Sequence, residues 1–171
     1  SLHDALPICN VTNLFFIEDS GEYEACVYNY LYYSPVSSVS ASSDPPKYKV
    51  RNLLNGDPKT TWVANANPDG INDWVQLNLN GERYVESLDI APGFACVKEG
   101  KDLFLLNNRL KKITLTLSDG QQLKAGFNGR DRKVSIPVNS ITGSIKISID
   151  EVFPGSKWRD TCIADLYVNA R

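Results

Sequence analysis

The chain has 171 residues, 18 Lys and Arg against 20 Asp and Glu, and a formal net charge of −2. That balance argues against the clustered basic surface on which nucleic-acid binding depends. Hydrophobic residues at 42% and charged residues at 22% describe an ordinary globular chain of one domain, or one domain with an appendage. The longest apolar run, around Leu14 to Ile17, falls far short of the ~18 residues of a spanning helix, so no transmembrane segment is expected. The sequence starts at Ser1 and contains no Met, and it reads as a fragment or processed form of a larger chain.

Residues 1–8 (SLHDALPI) are an unpatterned leader that holds the single histidine, His3. With one His there is no base for a Ser–His or Cys–His nucleophile and no multi-histidine zinc site. CxxC, the phosphate-binding GxxxxGK[ST], GxGxxG and HExxH are all missing, so an enzyme is not expected. Asn10-Val11-Thr12 is a glycosylation sequon whose use depends on the host. Glu22 to Tyr33 is rich in tyrosine (Tyr23, Tyr28, Tyr30, Tyr32, Tyr33) and reads as a strand or as the tail of a preceding region. Residues 34–46 contain six Ser and three Pro, a linker-like composition. The expected division is therefore an N-terminal extension over 1–35 and a domain over 36–171.

Beyond that point the periodicity is two. Val75, Leu77 and Leu79 alternate with Gln76 and Asn78, and Ile113, Leu115 and Leu117 alternate with Thr114, Thr116 and Ser118. Val134, Ile136 and Val138 follow, then Ile145, Ile147 and Ile149, then a last strand from Ile163 to Val168. Such alternation predicts antiparallel strands with one buried face. Turn signals stand at Asn55-Gly56, Asp69-Gly70, Asn80-Gly81, Asp119-Gly120, Asn128-Gly129 and Pro154-Gly155. Short strands at this spacing predict an all-β sandwich or barrel. Asn65, Asn67, Asp69 and Gly70 mimic the start of a calcium loop, but Pro68 and Gln76 break the EF-hand pattern. Cys9, Cys26, Cys96 and Cys162 are too widely spaced for a zinc site; they allow either two disulfides or four buried thiols.

VSASS (39–43), NLLNGDPKTTWV (52–63), DWVQLNL (73–79), IAPGF (90–94), LNNRLKK (106–112) and DEVFPGSKWRDTCIADLYV (150–168) occur in the order of a known module. They resemble the galactose-binding-like, discoidin or coagulation-factor C-type superfamily, and most closely the glycan-binding translocation domain attached to secreted NAD glycohydrolase toxins. The chain departs from that pattern at Asn55, at Pro92-Gly93-Phe94 and at Phe153, where the family usually has Asp, Asn-Gly-Tyr and Tyr. The resemblance implies an antiparallel β-sandwich of jelly-roll type with an irregular N-terminal extension. It implies a non-catalytic module that binds carbohydrate and anchors or delivers an attached protein, outside the cell or in its envelope. A protein–protein assembly module using the same loops is the alternative. A glycosidase working through two of Asp69, Asp73 and Asp160 is set aside, since sequence spacing shows no carboxylate separation.

The resemblance places Trp62 and Trp74 in the core. The candidate ligand-binding residues are Phe94, Asn107, Asn108, Arg109, Trp158 and Asp160: rings to stack on a pyranose, amides and a guanidinium for hydroxyl groups. Arg109 and Asp160 are alternatively a pair bracing two loops. Kinship further implies a structural Ca²⁺ held by Asp57, Thr60 and Asp165, against which stands a simple Asx turn at Asp57. It also brings Cys96 and Cys162 onto neighbouring turns, where a disulfide is expected.

Overall fold

A computed structural model describes residues 34–171 throughout, together with the backbone of two strands before them, β1 (Leu14–Phe16) and β2 (Ala25–Tyr28). His3, Cys9 and the sequon at Asn10 lie outside the described residues. The chain continues through β3 (Val36–Ala41), β4 (Trp62–Ala64), β5 (Trp74–Ala91), β6 (Cys96–Lys98) and β7 (Lys101–Asp102). A one-turn helix α1 (Leu103–Leu106) leads into β8 (Arg109–Leu117), β9 (Gln122–Gly126), β10 (Val134–Phe153), β11 (Thr161–Ile163) and β12 (Asp165–Ala170). Every strand ladder is antiparallel.

Two long strands organise the sandwich. The first half of β5 pairs with β3 and with the second half of β10, in register Val75↔Ile147 and Leu77↔Ile145. Its second half pairs with β12 and the first half of β10, in register Leu88↔Ile136 and Leu88↔Val168. β8 and β9 extend the sheet beyond β10. Asn80-Gly81 thus bends one strand instead of ending it, because Gly81 takes φ +80° with open space where a Cβ would sit. β10 answers with register shifts between Pro137 and Ser140 and between Thr142 and Ser144. The core fills from both halves: Val75, Leu77, Ile113, Leu115, Ile145 and Ile147 from one, Val85, Leu88, Ile90, Ile136 and Leu166 from the other. Burying each such side chain stabilises the fold by roughly 1.5–3 kcal/mol.

Trp62 is fully buried in this core, and its indole N–H donates to Ser43 O at 2.9 Å. Trp74 is not there. It shares the outward parity of Gln76 and Asn78, is half-buried, and has the Lys146 ammonium 4.8 Å from its ring centroid. The linker-like stretch at 34–46 is also different from its composition: Val36–Ala41 forms an edge strand on β5, with Val39 paired to Leu77. Serine suits such an edge, since Ser37 Oγ donates to the carbonyls of Asn78 and Leu79.

β1 and β2 join β6 and β7 in a four-stranded sheet, order β1-β2-β6-β7. Part of the Tyr-rich segment is therefore a strand, and the ladder Ala25↔Val97, Cys26↔Cys96 crosses the boundary expected at residue 35.

Candidate functional site

A cleft of about 460 Å³ opens beside this small sheet, lined by Lys47, Tyr48, Lys59, Thr60, Phe94, Lys98, Asn107, Trp158 and Asp160, with Thr61, Val63, Leu103 and Cys162 deeper in its walls. Its shape is set by α1. Asp102 caps the N-terminus by accepting the Phe104 N–H at 3.2 Å, and Asn107 closes the other end, its amide donating to Leu103 O at 2.9 Å. The carbonyls left over at the helix C-terminus receive the turn at 154–158. Ser156 N donates to Leu105 O at 3.1 Å, and Lys157 N and Trp158 N donate to Leu106 O at 3.1 and 2.8 Å. That contact fixes Trp158 at the mouth, partly buried beside Phe94 and Leu106 against Cys96 and Leu103.

Two glycines make the approach possible. A Cβ on Gly155 would stand 2.4 Å from Leu106 O and 2.5 Å from Trp158 O, both backbone atoms that cannot yield. A Cβ on Gly93 would lie 2.7 Å from the Phe104 ring. The Gly of Pro92-Gly93-Phe94 thereby lets the turn carrying Phe94 lie flat on α1.

Polar clamps tie the surrounding loops together. Asp69 and Arg159 form a bidentate pair at 2.9 and 2.9 Å, and Arg132 forks onto Asp102, with its Nη1 2.8 Å from Oδ1. Thr161 Oγ1 donates to Asp69 O at 2.5 Å. Hydrogen bonding and charge from Arg159 hold the half-buried Asp69 carboxyl below the usual carboxylate range. For Asp102, burial pushes upward, but the Arg132 hydrogen bond and charge outweigh it and the net shift is downward.

Four of the six expected ligand residues line the cleft: Phe94, Asn107, Trp158 and Asp160. Asn108 and Arg109 do not. Asn108 is fully buried, donates to Arg159 O at 2.9 Å and accepts from Gly155 N at 2.8 Å, which makes it the brace between two loops. Arg109 does not pair with Asp160; its Nη1 donates to the carbonyls of Phe104 and Leu105 at 3.2 and 3.4 Å, and its guanidinium packs over Phe104 and Phe153. Asp160 is exposed, and its link to this segment runs through the backbone, Asn108 N to Asp160 O at 3.0 Å. Lys47, Tyr48, Lys59 and Lys98 were not foreseen: Lys47 and Tyr48 follow β3, Lys59 sits in the turn of Asp57 and Lys98 ends β6, and no single motif marks the four together.

The expected Cys96–Cys162 bridge does not form. Cys96 is disulfide-bonded, whereas Cys162 is a buried free thiol. Burial, reinforced by the nearby Asp160 charge, pushes the Cys162 thiol well up, so it stays protonated and inert. The physical reason for the miss is the strand order: β6 lies against β2, which puts Cys26 opposite Cys96, while β11 carries Cys162 to β4, opposite Val63.

Asp57 and Thr60 share one turn. Asp57 Oδ1 accepts the Lys59 N–H at 3.0 Å, and Thr60 Oγ1 donates to Asp57 O at 2.8 Å. Asp165 is buried at the start of β12, its Oδ1 accepting the Leu166 N–H at 3.0 Å. These are hard oxygen donors of the kind Ca²⁺ takes. Among the described residues, however, no three His, Cys, Asp or Glu side chains group as a metal site, so carbonyl and hydroxyl oxygens would have to complete one. The loop at 65–73 is closed by its own bonds, with Asp73 accepting from Ala66 N and from the Asn67 amide at 3.0 and 2.6 Å.

The family model of the NAD glycohydrolase translocation F5/8 type C domain matches residues 24–169. The chain belongs to that family. The match takes in β2 as well as the sandwich of this translocation-type domain. No curated protein sequence matches the chain. Among solved structures, the domain is similar to the family 32 carbohydrate-binding module of AlyQ in complex with 4,5-unsaturated mannuronic acid (14% identity, TM-score 0.59, 80% of this chain and 96% of that one). It is similar also to the family 32 module of C. perfringens NanJ in complex with galactose (19%, 0.56, 77% and 91%) and to a pectin-binding module (18%, 0.58, 80% and 92%). At these identities the likeness establishes the β-sandwich fold, and fold leaves function open.

Proposed function

We propose that this domain is a non-catalytic glycan-binding module whose ligand docks in the cleft between Phe94, Trp158 and Tyr48. The observation that carries the reading is the pairing, in one concave site, of partly exposed aromatic rings with an amide, a hydroxyl and a carboxylate (Asn107, Thr60, Asp160). Rings stack on the apolar face of a pyranose, and the polar groups fix its hydroxyls. The walls are held by α1, by Gly155 and by the Asp69–Arg159 clamp, so little ordering is left for the ligand to impose. The sugars named with two of the similar structures, galactose and a mannuronic acid derivative, support the same class of ligand. Docking of this kind anchors an attached protein at a glycan-bearing surface and raises its local concentration there, which implies work outside the cell or in its envelope. Calcium held by Asp57, Thr60 and Asp165 would stiffen one rim of the cleft.

A glycan array with the whole chain tests the proposal. Binding is expected, and Trp158→Ala should abolish it while leaving the melting temperature within a few degrees of the parent's. Retention of glycan affinity in Trp158→Ala would move the site elsewhere; capture of a protein ligand with no glycan bound would favour an assembly module.

A further inference from the structure

We infer that the outer face of the sheet built by β3, β5, β10, β8 and β9 is a second saccharide site, which takes an extended, uncharged oligosaccharide. One row across this face runs Trp74, Ser148, Thr114 and Lys124, on β5, β10, β8 and β9. The next row runs Ser40, Gln76, Lys146, Thr116 and Gln122, one residue from each of the five strands. An outward face is polar in any sandwich, but two features go further here. Trp74 holds an indole on the wet side, half-buried, and its N–H meets no acceptor among the described residues. Ser40, Ser148, Thr116 and Gln122 likewise make no side-chain hydrogen bond among the described residues, so their hydroxyl and amide groups stay available. The two lysines are engaged, with Lys146 Nζ 4.8 Å from the Trp74 ring centroid and Lys124 Nζ donating to Thr114 Oγ1 at 3.3 Å. No carboxylate belongs to either row, so the groups left to bind are uncharged.

Adjacent strands stand ~4.8 Å apart, and the five-strand row therefore extends about 19 Å. That spacing is close to the length one pyranose adds to an extended chain. Successive sugars thus meet successive strands, with one polar side chain for each, and Trp74 flanks the row as a ring to stack on. The row through Trp74 ends in a concavity of about 650 Å³, lined by Lys112, Lys124, Gly126, Asp150 and Glu151. Its groups are already placed: Thr114 Oγ1 donates to Asp150 Oδ2 at 2.7 Å and Lys112 Nζ to Glu151 Oε1 at 2.6 Å. A Cβ on Gly126 would meet only Lys111 O, at 3.9 Å, so the floor stays open. None of the residues in the two rows lines the cleft of Trp158, so the two sites can be lost separately.

The test is calorimetric titration of the whole chain and of Trp158→Ala with cellohexaose, β-1,4-mannohexaose and β-1,4-galactohexaose, each against its disaccharide. Trp158→Ala should still bind at least one hexasaccharide, roughly tenfold tighter than the disaccharide. Adding Trp74→Ala to that variant should abolish the binding. Gln76→Ala and Thr116→Ala leave the indole and the core in place, and each should weaken binding roughly threefold. Loss of all hexasaccharide binding in Trp158→Ala, with the parent still binding glycan, would overturn the second site and leave the cleft standing. Affinity independent of chain length, or untouched by the three face variants, would overturn it too. A dimer on sedimentation that Trp74→Ala dissociates, with no oligosaccharide bound, would give the face to a second copy of the chain instead. Failure of every saccharide to bind the parent would overturn both sites.

Discussion

In the β5–β10 ladder, Val75, Leu77, Ile145 and Ile147 bury every second side chain, whereas in the loops around the cleft Asp69, Asp102 and Asn108 hold the chain through polar clamps. The ladder is stabilised by apolar area removed from water, which is nondirectional and additive over many residues. The cleft depends on a few directional contacts and on two glycines with no room for a methyl group. The first region should therefore fail in proportion to the volume removed, and the second at single points, without loss of the fold.

A large effect is expected in the ladder. Leu77→Ala, at a fully buried position, should cost about 3 kcal/mol from lost transfer free energy and the cavity left behind. Denaturant titration reads this as a lower midpoint at unchanged slope.

The disulfide of Cys96 belongs to the small sheet beside the cleft, and its partner is expected to be Cys26, which the β2–β6 register sets directly across from it. Paired antiparallel residues have Cα atoms ~4.5–5.5 Å apart, a separation that a disulfide spans. Closing a loop of about 70 residues should stabilise by up to ~4 kcal/mol in the chain-entropy model. Peptide mapping without reductant should recover the Cys26–Cys96 pair with Cys162 alkylated after denaturation, and reduction should lower the melting temperature. A mapped Cys9–Cys96 pair would contradict the assignment.

Gly155→Ala sharpens the contrast most directly. The new methyl group must push the 154–158 turn off α1, so glycan affinity should drop more than tenfold while strand content by circular dichroism is kept. Leu77→Ala should do the reverse, losing stability while the folded fraction still binds. If Gly155→Ala kept full affinity, the cleft would not depend on that contact.

Acid should loosen the clamped loops before the ladder. The folded-state pKa values of Asp69 and Asp102 lie below the unfolded value, so their stabilisation is complete above about pH 4 and is lost as pH falls through the folded values. The melting temperature should fall as the solution is acidified below pH 4, and Asp102→Asn should flatten part of that dependence. An unchanged profile in the variant would assign the acid sensitivity to other carboxylates.

Smallest of all is calcium. Millimolar calcium is expected to raise the melting temperature by about 2–4 °C through binding to the native state, and Asp57→Ala should remove the gain. Coincident melts in calcium and in chelator would leave the turn held by its Asx bond alone.

How far the sequence could be read follows from the same comparison. Four of the five runs lie in strands, those at 134–138 and 145–149 both in β10, because period two is a property of the strand itself and needs no partner to be seen; the last, expected as one strand over 163–168, is divided at Ala164 between β11 and β12, which pair with different neighbours. The Ser-rich stretch at 34–46 misled because its strand gains stability from β5 and not from its own side chains. Trp74 was drawn into the core by resemblance, although its parity with Gln76 already assigned it to the outer face. At the cleft, Phe94, Asn107, Trp158 and Asp160 were legible through their motifs. Asn108 and Arg109 carry the same chemistry, but the first is spent on Gly155 and Arg159 and the second on the carbonyls of Phe104 and Leu105.

The sequence by itself determined the strands, their buried faces, the sandwich and the family, all of which rest on local periodicity and on motifs kept in order along the chain. Tertiary structure alone decided which cysteine stays free and which amide faces the cleft. It also gathered Lys47, Lys59 and Lys98 at one site. Those outcomes depend on which strands become neighbours and on backbone approaches as close as Gly155 to Leu106, and residues far apart in the chain carry no mark of where pairing will bring them.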